Sequence, residues 1–118
     1  MRQPPTIDAY GAGGFRVSGV WRSGSLLLLD DRPRLWRPRS IADVSPEDFA
    51  EAVAGGVVIS EFVLLGTGAE QAMPPRGVRE ALRTAGLGLE FMSTEAAARL
   101  YNVLASQGRR VAAALIAI

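Results

Sequence analysis

From Phe62 to Ile116 the chain alternates short apolar runs with stretches of helical period, and this alternation constrains the fold more than any other feature. Phe62–Leu65 is continuously apolar, which suits a strand covered on both faces in a parallel sheet. After Gly66-Thr67-Gly68 and a loop to Pro74-Pro75, the spacing predicts a helix over about 75–85. It turns Val78, Ala81, Leu82 and Ala85 inward, leaves Arg76, Arg79, Glu80 and Arg83 outward, and closes at Gly86. Leu87–Met92 is a second strand, and Ser93 is placed to cap a helix running to about Gln107. On that helix Glu95, Arg99, Asn102 and Ser106 form a polar stripe, while Ala97, Leu100, Val103 and Leu104 face the core. Gly108 stops it before a third strand, Val111–Ile116. Two such crossovers are right-handed, so the three strands run parallel.

The N-terminal third has a different grammar. Gly11-Ala12-Gly13-Gly14 precedes Phe15–Ser18, which alternates apolar and polar residues as a strand does. Gly19, Ser23-Gly24 and Asp30–Pro33 punctuate the segments that follow, among them Ser25–Leu29 and Arg34–Arg37. Short runs between Gly and Pro signals predict a meander of hairpins, and the unbroken Leu26–Leu29 run predicts a strand buried on both faces. Ser45-Pro46-Glu47-Asp48 starts a helix that directs Phe49, Ala50 and Val53 inward and ends at Gly55-Gly56. The expected fold is therefore α/β in three layers, with N-terminal antiparallel hairpins packed on a C-terminal βαβαβ parallel sheet. The boundaries expected are a β layer over about 7–40 and an α/β layer over 45–118, within one domain of residues 1–118. A chain of 118 residues is long enough to bury roughly two thirds of the surface it exposes when unfolded.

Chemistry is narrowed by what is missing. The chain has no Cys and no His, and all 13 of its basic residues are Arg. Thiolate and imidazole metal sites, disulfides and Cys- or His-based nucleophilic pairs are excluded. No metal site, cofactor or catalytic residue is expected. A net charge of +1 also argues against a general nucleic-acid binder, which needs a basic excess. The charge is unevenly spread: Arg dominates residues 1–40, acids dominate 41–95, and three Arg close the chain. The longest apolar run, Val111–Ile118, has eight residues against the roughly 20 of a membrane helix. A cytoplasmic protein without membrane insertion is the expectation.

Two constellations remain as candidate sites. Gly66-Thr67-Gly68 leaves the end of a buried parallel strand, where ligands of open α/β sheets bind, and Ser93-Thr94 starts the helix beside it. The glycines allow close approach to the backbone and the hydroxyls offer hydrogen bonds, which would suit an anion or small ligand; the plain alternative is a tight strand exit. No Gly-Lys-Ser/Thr follows, so this is no nucleotide-phosphate loop. If a ligand binds there, Gly66→Val abolishes its binding and spares partner binding. The second constellation is Arg34, Trp36, Arg37 and Arg39, where arginines flank an aromatic as at protein interfaces; the alternative is an edge strand guarded by charge.

The order of several segments carries a resemblance that no single one carries alone. Tyr10–Val17, Leu65–Gly68, Pro74-Pro75, Glu90–Thr94, Tyr101–Leu104 and Arg109–Leu115 together resemble a family of small domains. That family includes a mitochondrial respiratory complex I assembly factor and the adipogenesis-associated domain protein, and this chain is similar to its bacterial members. The resemblance covers the chain from about Ile7 onward. It implies a β layer packed on an α/β layer, and protein partners rather than a reaction. Where the family pattern has an aspartate before Thr94 this chain has Ser93, and Leu100 stands where it has a threonine before Tyr101. Both changes weaken a polar ligand site at this helix start. Two functions are carried forward. The first is a non-enzymatic interaction or assembly-factor-like domain linked to respiratory or membrane complex biogenesis, with homo-oligomerisation left open. The alternative is a small-molecule or anion-binding protein, or an enzyme, with its site at Gly66-Thr67-Gly68.

Overall fold

A computed structural model describes residues 2–118. The strands are β1 (Ile7–Gly11), β2 (Gly14–Val17), β3 (Val20–Ser23), β4 (Ser25–Leu29), β5 (Arg32–Trp36), β6 (Phe62–Gly66), β7 (Gly88–Met92) and β8 (Ala112–Leu115). The helices are α1 (Ala50–Ile59), α2 (Arg76–Thr84) and α3 (Thr94–Ser106). They form a three-stranded sheet in the order β1-β2-β3 and a five-stranded sheet in the order β5-β4-β8-β6-β7. β6 lies parallel to both β7 and β8, as two crossovers through α2 and α3 require.

The large sheet is the middle of three layers. Leu26, Leu28, Leu64 and Leu115 on one face meet Phe15 and Val17 of the small sheet and Ala97 and Tyr101 of α3. Leu27, Leu29, Val63 and Leu65 on the other face meet Val78 and Leu82 of α2 and Phe49 before α1. The alanines of β8 occupy the centre, where short side chains let both outer layers approach the sheet. The α/β class with a β layer stacked on an α/β layer is thus what the chain adopts.

The division between layers falls elsewhere than expected. The chain leaves the small sheet at Gly24, not near residue 40, and the β4–β5 hairpin completes the large sheet, with β4 antiparallel to β8. The cause is the Leu26–Leu29 run itself: four consecutive leucines need cover on both faces, which only the middle layer supplies. Gly24 makes the transfer with φ +90, a conformation that favours glycine. Asp30 and Asp31 form the two-residue hairpin loop, both at positive φ, so β5 starts at Arg32, before the expected Arg34. Arg2 clamps this turn, its guanidinium donating twice to the Asp31 carboxylate at 2.9 Å.

The helices deviate in phase. Asp48 accepts from the Ser45 N–H at 2.8 Å, fixing the expected helix start, but the first turn, Pro46–Phe49, is a 3-10 turn. The tighter winding turns Phe49 and Ala52 to the core and leaves Ala50 and Val53 exposed, contrary to the expectation that both face inward. Gly56, at φ +61, kinks α1 where the helix was expected to end, and one further turn reaches Ile59. On α3, Ala97 and Leu104 are buried as expected, but Tyr101 takes the core position that Val103 was expected to share. Asn102, expected on the polar stripe, instead pins β1: it accepts from the Ile7 N–H and donates to the Ile7 carbonyl, both at 2.9 Å.

Ser60, at the end of α1, is buried, and its hydroxyl has no hydrogen-bond partner among the described residues. An unpaired buried hydroxyl costs about 1 kcal/mol or more. Ser60→Ala is therefore expected to raise the thermal midpoint by about 4 °C. Differential scanning calorimetry checks this, and a fall in the midpoint counts against it.

Candidate functional site

The structure brings Gly66, Thr67, Gly68, Ser93 and Thr94 together, since β6 and β7 end side by side and α3 starts directly after β7. What they build is a clasp. The Thr94 hydroxyl accepts from the Gly68 N–H at 3.0 Å and donates to the Ile116 carbonyl at 2.7 Å. The Gly68 carbonyl in turn accepts from the Thr94 N–H at 2.8 Å. The Thr67 hydroxyl accepts from the Ala72 N–H at 3.0 Å and shares its proton between the carbonyls of Glu70 and Met92, at 2.7 and 3.1 Å. Ser93 caps α3 by accepting from the Ala96 N–H at 3.3 Å. All three hydroxyls thus already serve the backbone of β6, β7, β8 and α3. Thr67 and Thr94 are buried, and the glycines admit the chain's own backbone: a Cβ on Gly66 would lie 2.9 Å from the Thr94 Cα.

The second constellation is largely spent on the fold, since Arg34, Trp36 and Arg37 all reach α1 or the turns before it. Trp36 shares a face of the large sheet with Leu27 and Leu29 and is only 4% exposed. It packs edge-to-face on Phe49 with ring centroids 5.5 Å apart, and its indole N–H donates to the Asp48 carbonyl at 3.0 Å. Its place is in the core, not on a stacking surface. Arg34 pairs with Glu51 of α1. Arg37 grips Asp48 with two parallel hydrogen bonds, at 2.9 and 2.7 Å, and reaches Asp43 at 3.2 Å. These contacts hold the Asp48 carboxyl below its ordinary pKa, chiefly through the Arg37 guanidinium. For Asp43 the largest cause of a lowered pKa is the Arg39 backbone N–H, followed by Arg37. The sign follows directly: a depressed carboxylate pKa stabilises the fold above the ordinary value near 3.8, and that contribution is lost as pH falls through the folded-state value. Of the three arginines in this constellation, Arg39 alone makes no ion pair with a described residue.

Beside it opens a groove of about 900 Å³, lined by Gly24, Ser25, Leu35, Arg37, Arg39 and Ala117. It exists because the chain passes from one sheet to the other at Gly24, leaving the small sheet short of β5. Leu35, which lies on the face opposite to Trp36, is consequently uncovered and 74% exposed. A large uncovered aliphatic side chain next to a free guanidinium can hold an apolar and acidic protein surface. Of this rim the sequence singles out Arg37 and Arg39 but not Leu35; alternation along β5 puts Leu35 on the face opposite to Trp36 without showing which face is open. Among the described residues no group of three or more acidic side chains is placed to hold a metal ion, and no helix is long and apolar enough to cross a membrane.

Comparison with known proteins gives consistent relatives. The profile of a family described as "Protein of unknown function (DUF498/DUF598)" matches residues 7–116. An uncharacterized protein of Rhodobacter capsulatus is 41% identical over 112 residues, covering 93% of this chain and 82% of the relative. The NADH dehydrogenase (ubiquinone) 1 alpha subcomplex assembly factor 3 of Rattus norvegicus is 32% identical over 93% of this chain; the match spans only 59% of that longer relative. Among solved structures, one described as an outer membrane protein from Bartonella henselae superposes with a TM-score of 0.87 at 34% identity, covering 97% of this chain and 95% of that one.

Proposed function

The chain belongs to the DUF498/DUF598 family, and from that premise we propose that it is a non-enzymatic interaction domain, assembly-factor-like, that binds protein partners during biogenesis of a respiratory or other membrane complex. The proposal sets it in the cytoplasm, acting on its partners from solution. The observation that carries it is the groove in which uncovered Leu35 lies beside Arg39. The relative named as an assembly factor lends the class of partner, through a match that covers nearly all of this chain. The clasp at Gly66–Gly68 and Thr94 supports the same reading, because its hydroxyls are spent on the fold.

The test is affinity purification of the tagged protein from its own host, with quantification of membrane-complex subunits and their assembly factors. Leu35→Asp combined with Arg39→Glu is expected to lower recovery by about a hundredfold, the loss of two central contacts of an interface. Both residues are exposed, so the thermal midpoint is expected to stay within about 2 °C. Undiminished recovery of the same partners by the double variant overturns the assignment of the groove.

A further inference from the structure

We propose that the open edge of β7 is a second docking site, which takes an extended, acidic segment of a partner protein as a sixth strand of the large sheet. It lies at the opposite edge from β5 and does not depend on the Leu35–Arg39 groove.

The two edges of this sheet differ. On β5, Pro33 stands opposite Leu28 in a pair whose backbone groups point away from β4, so the donor it lacks is missing from the open side. That edge is blocked for strand addition. On β7 no proline or positive charge interrupts Gly88–Met92. The Met92 carbonyl accepts from the Thr67 N–H at 2.8 Å, which marks Met92 as turned towards β6. By alternation the N–H and C=O groups of Leu89 and Phe91 point outward. Among the described residues only the exposed Gln71 amide touches them, donating to the Phe91 carbonyl at 3.4 Å. An incoming strand would gain main-chain hydrogen bonds at both residues.

Charge selects the occupant. A groove of about 260 Å³ runs between this edge and α2, with Leu87, Leu89 and Phe91 as its floor and Arg79 and Arg83 as its wall. Arg79 has no carboxylate partner, its guanidinium donating only to the Pro74 carbonyl at 3.4 Å, and Arg83 is held by Glu80 at the surface. Glu90 lies on the other face of β7, away from this wall. A strand carrying carboxylates on its α2-facing side therefore meets two arginines. A second copy of this chain fits poorly. Paired antiparallel about Glu90, two β7 strands would oppose glutamate to glutamate and bring two Arg79–Arg83 walls together.

The probe is a blocked heptapeptide in which threonine alternates with glutamate, valine and glutamate, beside a counterpart with lysine for glutamate. Titrated into the whole isotope-labelled protein, the acidic peptide is expected to shift amide resonances of β7 and α2 and to slow exchange of the Leu89 and Phe91 amides. The lysine peptide is expected to bind at least about tenfold more weakly, and Arg79→Glu with Arg83→Glu to invert that preference. Equal binding of both peptides overturns the proposal, as do shifts confined to other strands. Concentration-dependent protection of β7 without peptide also overturns it, because the edge would then serve self-association. Since the resonances of Leu35 and Arg39 report the other groove separately, failure here leaves the function proposed above standing.

Discussion

Replacing Gly66 by valine is expected to cost about 3 kcal/mol or more, lowering the thermal midpoint by at least about 12 °C or preventing folding. A Cβ at this position would stand 2.9 Å from the Leu115 Cδ2, 2.9 Å from the Thr94 Cα and 3.0 Å from the Thr94 Oγ1. Leu115 could turn aside at modest cost, but Thr94 is backbone at the start of α3, fixed from both ends by the Gly68 and Ile116 hydrogen bonds. Something rigid must move, and it carries the helix with it. On sequence grounds alone this substitution separates ligand binding from partner binding; the structure makes it a fold-breaking change that separates nothing. Gly13→Ala is the control. It has no neighbour within 4 Å and suffers only the penalty of φ +79, so about 1 kcal/mol is expected. Chemical denaturation of both variants checks the contrast, and a valine variant as stable as the alanine one contradicts the close approach.

Thr94→Val is expected to cost about 2–4 kcal/mol although the two side chains are nearly isosteric. The threonine is fully buried, and its hydroxyl is at once the acceptor for the Gly68 N–H and the donor to the Ile116 carbonyl. Valine leaves both backbone groups in a dry interior without partners, and it does so at the point where β6, α3 and β8 are joined. Thr94→Ser keeps the hydroxyl and forfeits one methyl, so it is expected to recover most of the loss. Hydrogen exchange supplies the specific readout: the Gly68 amide is expected to exchange faster in the valine variant than in the serine one. Equal stability of the valine and native proteins contradicts the role assigned to the clasp.

These two residues show where a sequence is legible and where it is not. The strand–helix alternation from Phe62 to Ile116 is local, and it is found in the structure with its capping serine and its parallel strand order. The sequence places Thr67 and Thr94 beside one another at the strand ends. Their structural role is not legible there, because their partners at Met92 and Ile116 lie over twenty residues away in sequence. β3 is illegible for a different reason: it is exposed along its length, and an edge strand with little burial has no hydrophobic period to read. Trp36 between arginines reads as a surface aromatic in the sequence. Parity along β5 separates it from Leu35, but β4 is buried on both faces, so only the folded chain shows that the face of Leu35 is left uncovered. The acids that neutralise Arg37 come from beyond the strand, on the 3-10 turns before α1, and only the folded chain brings them near.

The central claim is that this chain works through a protein partner held at the Leu35–Arg39 groove. Site-specific photo-crosslinking in the native host tests it most directly, with the photoreactive side chain placed at Leu35 and, in a parallel strain, at the equally exposed Val58. Adducts with membrane-complex subunits or their assembly factors at position 35, absent at position 58 and lost when Arg39 is changed to Glu, are the predicted result. Adducts of equal yield from both positions, or none from position 35, would contradict it.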